Sequence, residues 1–177
     1  MSADPTAKVL FRVPDDEGGA TVETLWAFPL GDDRYTLDNS PFYAYGVSWQ
    51  DTVFAPIDPQ EGMPTFNAVV AKSGNRTIRI ILDPPVAPGN HSDQVLQGLV
   101  ALGCSYESSN SRYFSLNIPP AVDLQAVRSH LIQQDTQWEH ADPTYASLFP
   151  DDASCLTHAA SLRPRLMPGG NAYFLRS

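Results

Sequence analysis

Residues 71–83 read AKSGNRTIRIILD, and the hydrophobic pattern of the chain changes within this stretch. Before Gly74, short alternating segments are separated by turn residues every 8–12 positions, which is typical of a small barrel or a strongly curled sheet. After Gly74, strand-like and helical patterns alternate. From Asn75 to Tyr145 their order is β-α-β-β-α-β, the ferredoxin-like pattern of an antiparallel four-stranded sheet with two helices on one face.

The two helices are predicted from apolar spacing and capping residues. The first is HSDQVLQGLVALG (91–103), in which we predict Ser92 as the N-cap and Gly103 as the residue just past the C-terminus. The second is VDLQAVRSHLIQQ (122–134), with Asp123 as its N-cap. Apolar residues recur at helical spacing in both, namely Val95, Leu99 and Leu102, and then Leu124, Val127 and Leu131.

These patterns predict an α+β protein in which a small, curled N-terminal β-sheet or barrel packs closely on a C-terminal ferredoxin-like βαββαβ unit. The predicted boundaries are 1–74 for the β-rich unit, 75–150 for the α+β unit and 151–177 for a C-terminal tail. The tail carries three arginines, and its last residues, AYFLRS (172–177), could add an edge strand.

The charge of the chain bears on its partners. The formal net charge is −9, and residues 1–61 hold eleven acidic residues against three basic ones. This charge disfavours non-specific binding of nucleic acid and could attract a basic protein, although it could also serve solubility alone. No run of apolar residues is long enough to span a membrane, and Cys104 and Cys155 are not spaced as a metal site. We therefore expect a cytoplasmic protein with two reduced thiols.

An aromatic-rich stretch, RYTLDNSPFYAYGVSWQDTV (34–53), supplies the first candidate site. Alternation places Phe42 in the core and turns Tyr43 and Tyr45 to the other side. A surface row of Tyr43, Tyr45 and Trp49 could bind a partner, and Trp138 joins these candidate binding residues. The alternative is that such rings pack inside a small β structure with their polar atoms reaching water.

The stretch WEHADPTY (138–145) is the densest in chemically active residues. Glu139, His140 and Asp142 could act as an acid–base group, because a histidine beside carboxylates titrates near neutral pH. Adjacent residues on a strand point to opposite faces, however, and His91 lies far away in sequence, before the first helix. No metal-ligand spacing, P-loop or nucleophile elbow is present, so we predict no metal and no cofactor.

Several segments resemble the bacterial family known as the domain of unknown function 4265. The resemblance spans roughly Val9 to Pro143 and is carried by short motifs: Leu37-Asp38-Asn39, Pro41-Phe42, Gly46-Val47, Asp51, Leu102-Gly103-Cys104 and Trp138-Glu139. After Trp138-Glu139 the sequence HADPTYASLFPDD departs from the family pattern. The resemblance implies a shared fold and a bacterial cytosolic setting, but no activity.

Two functional hypotheses follow. The first is a non-catalytic protein-binding or regulatory protein, of the inhibitor or immunity type, that offers an acidic, aromatic-bearing surface to a basic partner. The alternative is an enzyme acting on a small molecule or a peptide in a cleft between the two units, with His140, Glu139 and His91 as candidate catalytic residues. A homodimer formed through an exposed sheet edge is a third possibility.

Overall fold

The computed structural model describes residues 4–14 and 19–151, and within them the chain is α+β with mostly antiparallel sheets and few helices. The elements in chain order are β1 (Ala7–Pro14), β2 (Ala20–Gly31), β3 (Arg34–Leu37), β4 (Thr52–Phe54), β5 (Ile57–Asp58), β6 (Met63–Pro64), β7 (Ala68–Ala71), β8 (Arg76–Ile81), α1 (His91–Ala101), β9 (Ser105–Ser108), β10 (Tyr113–Ile118), α2 (Leu124–Gln133), β11 (Gln137–Asp142) and α3 (Tyr145–Leu148).

The first sheet has five antiparallel strands in the order β1-β2-β3-β4-β7. The alternation in β2 turns Glu23, Leu25 and Ala27 to the buried side. Past β6 the chain returns to the far edge of the sheet, where the Phe66 amide donates to the Leu10 carbonyl (2.8 Å). The rings of Phe11 and Phe66 stack there with centroids 4.6 Å apart, so this segment covers the edge of β1.

The second sheet has four antiparallel strands in the order β11-β8-β10-β9. Helices α1 and α2 cover one side of it, which we call the helix face. This face and the helices form one apolar core, made of Ile78, Ile80, Leu82, Val95, Leu96, Leu99, Cys104, Phe114, Leu116, Ile118, Val127 and Leu131.

The N-cap residue predicted from the sequence is correct for α2 and wrong for α1. Asp123 caps α2, and its side chain accepts from the Gln125 amide, as predicted. The N-cap of α1 is Asn90, which accepts from the Asp93 amide, so the choice of Ser92 was wrong. Ser92 is instead buried inside the first turn, where its hydroxyl donates to the Pro84 carbonyl (2.6 Å).

The opposite side of the second sheet, which we call the loop face, carries polar side chains that are also buried, including Thr77, Arg79 and Ser115. Residues 38–51, which we call the aromatic loop, cover it. The aromatic loop contains no strand, and Gly46 takes a left-handed conformation (φ +73°) within it. The polar side of the sheet is thus an internal surface.

The predictions for the tail, including Cys155 and a strand at residues 172–177, concern residues outside those described. Within residues 4–14 and 19–151, no helix is long and apolar enough to cross a membrane.

Candidate functional site

Glu23 fixes the first half of the aromatic loop to the first sheet. Its carboxylate accepts hydrogen bonds from the backbone amides of Phe42 (2.6 Å), Tyr43 (3.0 Å) and Ala44 (2.8 Å). Burial raises the pKa of Glu23 above its usual value, and the hydrogen bonds from the Ala44 and Phe42 amides act against that increase. Three amides in a row bound to one carboxylate set the backbone path of this part of the loop.

Arg79 fixes the same segment to the second sheet. The Arg79 side chain is only 2% exposed. Its guanidinium donates to the Ala44 carbonyl and to Glu139 Oε1 (3.2 Å). The ring of Tyr45 lies 4.4 Å from the guanidinium carbon, and the Tyr45 hydroxyl donates to Glu139 Oε2 (2.9 Å). A buried arginine needs such a set of acceptors, because an unpaired charge in the interior is costly.

Lys72 fixes the second half of the loop. Its ammonium group donates to the Gly46 carbonyl (2.7 Å), to Asp51 Oδ2 (3.0 Å) and to Asp142 Oδ2 (2.7 Å). Asp142 also accepts from the Ser48 hydroxyl (2.6 Å), and the Asp51 side chain is fully buried. All three ammonium donors are therefore used within the chain.

Two of the predicted binding residues, Tyr43 and Tyr45, contribute to these internal contacts. Phe42 is buried, as predicted, while Tyr43 and Tyr45 are half-buried. The ring of Tyr43 packs against Tyr113 (centroids 6.0 Å apart), and Tyr45 serves Arg79 and Glu139 as described above. Burial, and then the charge of Glu23, raise the pKa of Tyr43. That either ring binds a partner stays a prediction.

Trp49 and Trp138, the other predicted binding residues, are also half-buried and lie in different parts of the structure. The Trp49 carbonyl accepts from the side chains of Ser73 (2.8 Å) and Asn75 (3.0 Å) in the connection between the two sheets. Trp138 lies on the helix face of β11 and packs against the core beneath the helices. The loop residues and Trp138 are thus on opposite sides of the second sheet.

The candidate catalytic residues are divided in the same way. Glu139 lies on the loop face with Arg79 and Tyr45, whereas His140 points to the helix face, 5.1 Å from the Trp138 ring. Burial, and then the charge of Arg128, lower the pKa of His140 to about 4. His91 is exposed, and its Nε2 lies 3.2 Å from the Gln134 carbonyl at the end of α2. The opposite orientation of Glu139 and His140 agrees with strand geometry.

A small cleft opens beside Glu139, at the edge of the second sheet. It is lined by Arg79, Ile81, Tyr113, Gln137, Trp138 and Glu139 and has a cavity volume of about 10 Å³. A volume of roughly 10–15 Å³ holds a single water molecule. This cleft is therefore too small for a drug-sized ligand.

Other reactive groups offer little chemistry in the described part of the chain. No group of three or more His, Cys, Asp or Glu residues there is arranged to hold a metal ion. Cys104 is a buried, free thiol in the core, as predicted, and burial raises its pKa to about 11. Such a thiol stays protonated at neutral pH and is a poor nucleophile.

An apolar surface on the outer side of the first sheet was not among the candidate sites predicted from the sequence. This surface, which we call the outer patch, consists of Phe54, Ala68 and Val70. Phe54 lies opposite Ala68 across the β4–β7 pair, and Phe54 and Val70 are 36% and 49% exposed. The available signal was the sequence Ala68-Val69-Val70-Ala71, a strand without the polar alternation that marks a solvent-facing side.

The family model described as "Domain of unknown function (DUF4265)" matches residues 23–141. The chain belongs to this family. The match begins at Glu23 and ends at Ala141, so it takes in the aromatic loop and the side chains of Lys72, Arg79 and Glu139 that hold it. Within this DUF4265 region, several of the motifs that carried the resemblance lie in the contact between the loop and the second sheet.

A solved structure, entitled "Novel crystal structure of a hypothetical protein from Neisseria gonorrhoeae", is similar to this DUF4265 chain. The two share 18% sequence identity, and the alignment covers 80% of this chain and 96% of the other with a TM-score of 0.67. At this identity the likeness concerns the fold. No curated protein matches the chain.

Proposed function

We propose that this DUF4265 protein is a non-catalytic protein-binding or regulatory protein, of the inhibitor or immunity type. The observation that carries the proposal is the outer patch, an exposed apolar surface on the first sheet. Exposed apolar side chains gathered in one place are a common sign of a protein-binding surface. The bacterial origin and cytoplasmic setting suggested by the sequence remain predictions.

The way the interior uses its charges supports the same proposal. Glu23, Arg79 and Glu139 form one network, while Lys72 joins Asp51 and Asp142 in another. Each network combines one basic group with two carboxyl groups and holds the aromatic loop on the second sheet. Their partners are backbone and side-chain atoms of the same chain, so they are used for structure.

We also propose the finer description of the fold that the sequence suggested. The strand order β11-β8-β10-β9, with the two helices following β8 and β10, supports a ferredoxin-like arrangement for the second half. The contact between Leu10 and Thr65, which brings the chain before β7 back to β1, supports a barrel-like first half.

The alternative, an enzyme with a site between the two halves, has the cleft beside Glu139 in its favour. Against it stand the size of that cleft and the position of His140 on the other side of the sheet. A screen of metabolites by thermal shift would support this alternative if a compound raised the melting temperature of the protein but not of a Glu139→Gln variant.

The proposed function is tested by co-purification from the native host at low and at high salt, followed by binding measurements with the purified partner. We expect one defined protein to bind directly and in a fixed ratio, more tightly at low salt. If no protein binds directly under either condition, the proposed function is wrong.

A further inference from the structure

Strand β7 presents a free edge at the side of the outer patch. It pairs with β4 on one side, and no strand among residues 4–14 and 19–151 pairs with it on the other. Before β7 begins, Thr65 forms an isolated bridge with Leu10 of β1. The backbone of residues 68–71 is therefore open on one side, and an extended segment could continue the sheet there.

The edge of β7 lacks two of the features that usually prevent strand pairing. Proteins protect free edges with proline, with bulges or with charged side chains, especially lysine. Residues 68–71 contain neither proline nor charge, and three of the four are exposed. The register with β4 shifts at Val70, while Ala68 and Val69 keep regular pairing. Lys72 follows directly, but its ammonium group is directed to Gly46, Asp51 and Asp142 and not along the edge.

Carboxylates border this surface. Asp32 and Asp33 form the exposed turn between β2 and β3, and the Ala55 amide donates to the Asp33 carbonyl (2.8 Å). This bond places the acidic turn beside Phe54. Arg34 lies opposite Phe54 on β3 and adds one positive charge, so the rim of the outer patch keeps a net negative charge.

We infer that β7 binds an extended segment of a basic partner protein, in which apolar residues alternate with lysine or arginine. This inference rests on the proposed function and names the partner's chemistry. The apolar residues would lie against Phe54 and Val70, and the basic residues would face the acidic turn. A second copy of the chain fits less well, because it would bring another net charge of −9 and another Asp32–Asp33 turn to the same surface.

The test uses the full chain and a library of random twelve-residue peptides displayed on phage. Val70→Lys places a lysine on the edge, and Val100→Lys is the matched control, since Val100 is 51% exposed on α1. We expect the selected peptides to alternate apolar and basic residues and to protect the amides of residues 68–71 from hydrogen exchange. Val70→Lys should weaken their binding about tenfold or more, because like charges meet, while Val100→Lys should not.

A second variant tests the charge of the rim. The double change Asp32→Asn and Asp33→Asn should reduce both the affinity and its dependence on salt. The inference is overturned if the selected peptides are acidic or lack alternation, if none is selected, or if both lysine variants bind equally well. It is also overturned if sedimentation shows a dimer that Val70→Lys dissociates, or if removing residues 152–177 is required before any peptide binds.

These outcomes are separable from those for the proposed function. A native partner that binds directly, and equally well to the chain with Val70→Lys, would leave the proposed function standing and remove this inference.

Discussion

His140 should make the stability of the protein fall as the pH drops below 6.5. The ring is 5% exposed, and neither of its nitrogens has a hydrogen-bond partner among the described residues. Burial, and then the nearby charge of Arg128, lower its pKa in the folded protein from 6.5 to about 4. The unfolded chain therefore takes up a proton between pH 6.5 and pH 4 that the folded protein does not.

The size of the effect follows from these two pKa values. They differ by about 2.5, and each pKa unit corresponds to about 1.36 kcal/mol, so the folded state loses about 3 kcal/mol once the pH is below 4. By the same relation, about 2 kcal/mol is already lost at pH 5. Above pH 6.5 the histidine is neutral in both states, so it causes no loss of stability there.

The assay is urea unfolding between pH 7.5 and pH 4.5 for the wild type and for His140→Leu. The variant has no titrating group at this position. Between pH 7.5 and pH 5, its free energy of unfolding should therefore fall by about 2 kcal/mol less than that of the wild type. His91→Gln, which removes an exposed histidine, is the control and should leave the difference in place. A ring titration of His140 near pH 6.5 by NMR, or equal slopes in the wild type and His140→Leu, would refute the reasoning.

Three further changes test the packing and the internal networks. Glu23→Gln replaces a carboxylate that binds three backbone amides and should lower the free energy of unfolding by about 2 kcal/mol; Glu61→Gln, on the surface, should change it by less than about 0.5 kcal/mol. Lys72→Met leaves two carboxylates without their shared ammonium group and should cost about 1–2 kcal/mol in urea unfolding, a modest loss because the lysine is 45% exposed. Leu99→Ala, at a fully buried position, should lower stability by about 2–5 kcal/mol; the adjacent Val100→Ala, at an exposed position, should cost less than about 0.5 kcal/mol in the same assay. Equal losses for the last two would contradict the assignment of the core face of α1.

The second half of the chain was the more predictable, because its information is local. The spacing of Val95 and Leu99 identified the buried side of α1, and Asp123 marked the start of α2. The wrong N-cap of α1 has a local cause as well. Asn90 and Ser92 are both common caps, and spacing alone could not choose between them.

The aromatic loop was less predictable, because its conformation is fixed by distant residues. Alternation along β10 gives an apolar side with Phe114 and a polar side with Ser115. It could not show that both sides are buried, since the Ser115 hydroxyl donates to the carbonyl of Pro41, 74 positions earlier. Polar residues on a strand usually indicate solvent, and here they indicate a second layer of protein.

The outer patch was missed for a similar reason. The apolar run at residues 68–71 is typical of a strand, but the pattern of one strand does not show its position at the edge of a sheet. That position depends on the pairing of β4 with β3 on one side and β7 on the other.

The spacing of the loop contacts along the chain has a consequence for synthesis on the ribosome. Tyr45 and Ser48 meet partners 94 positions later, Glu139 and Asp142, both in the last strand of the second sheet. A nascent chain that ends before this strand already contains Arg79 and the aromatic loop. It does not yet contain the side chains of Glu139 and Asp142 that hold them. We therefore expect the native loop to form only after residue 142 has left the exit tunnel.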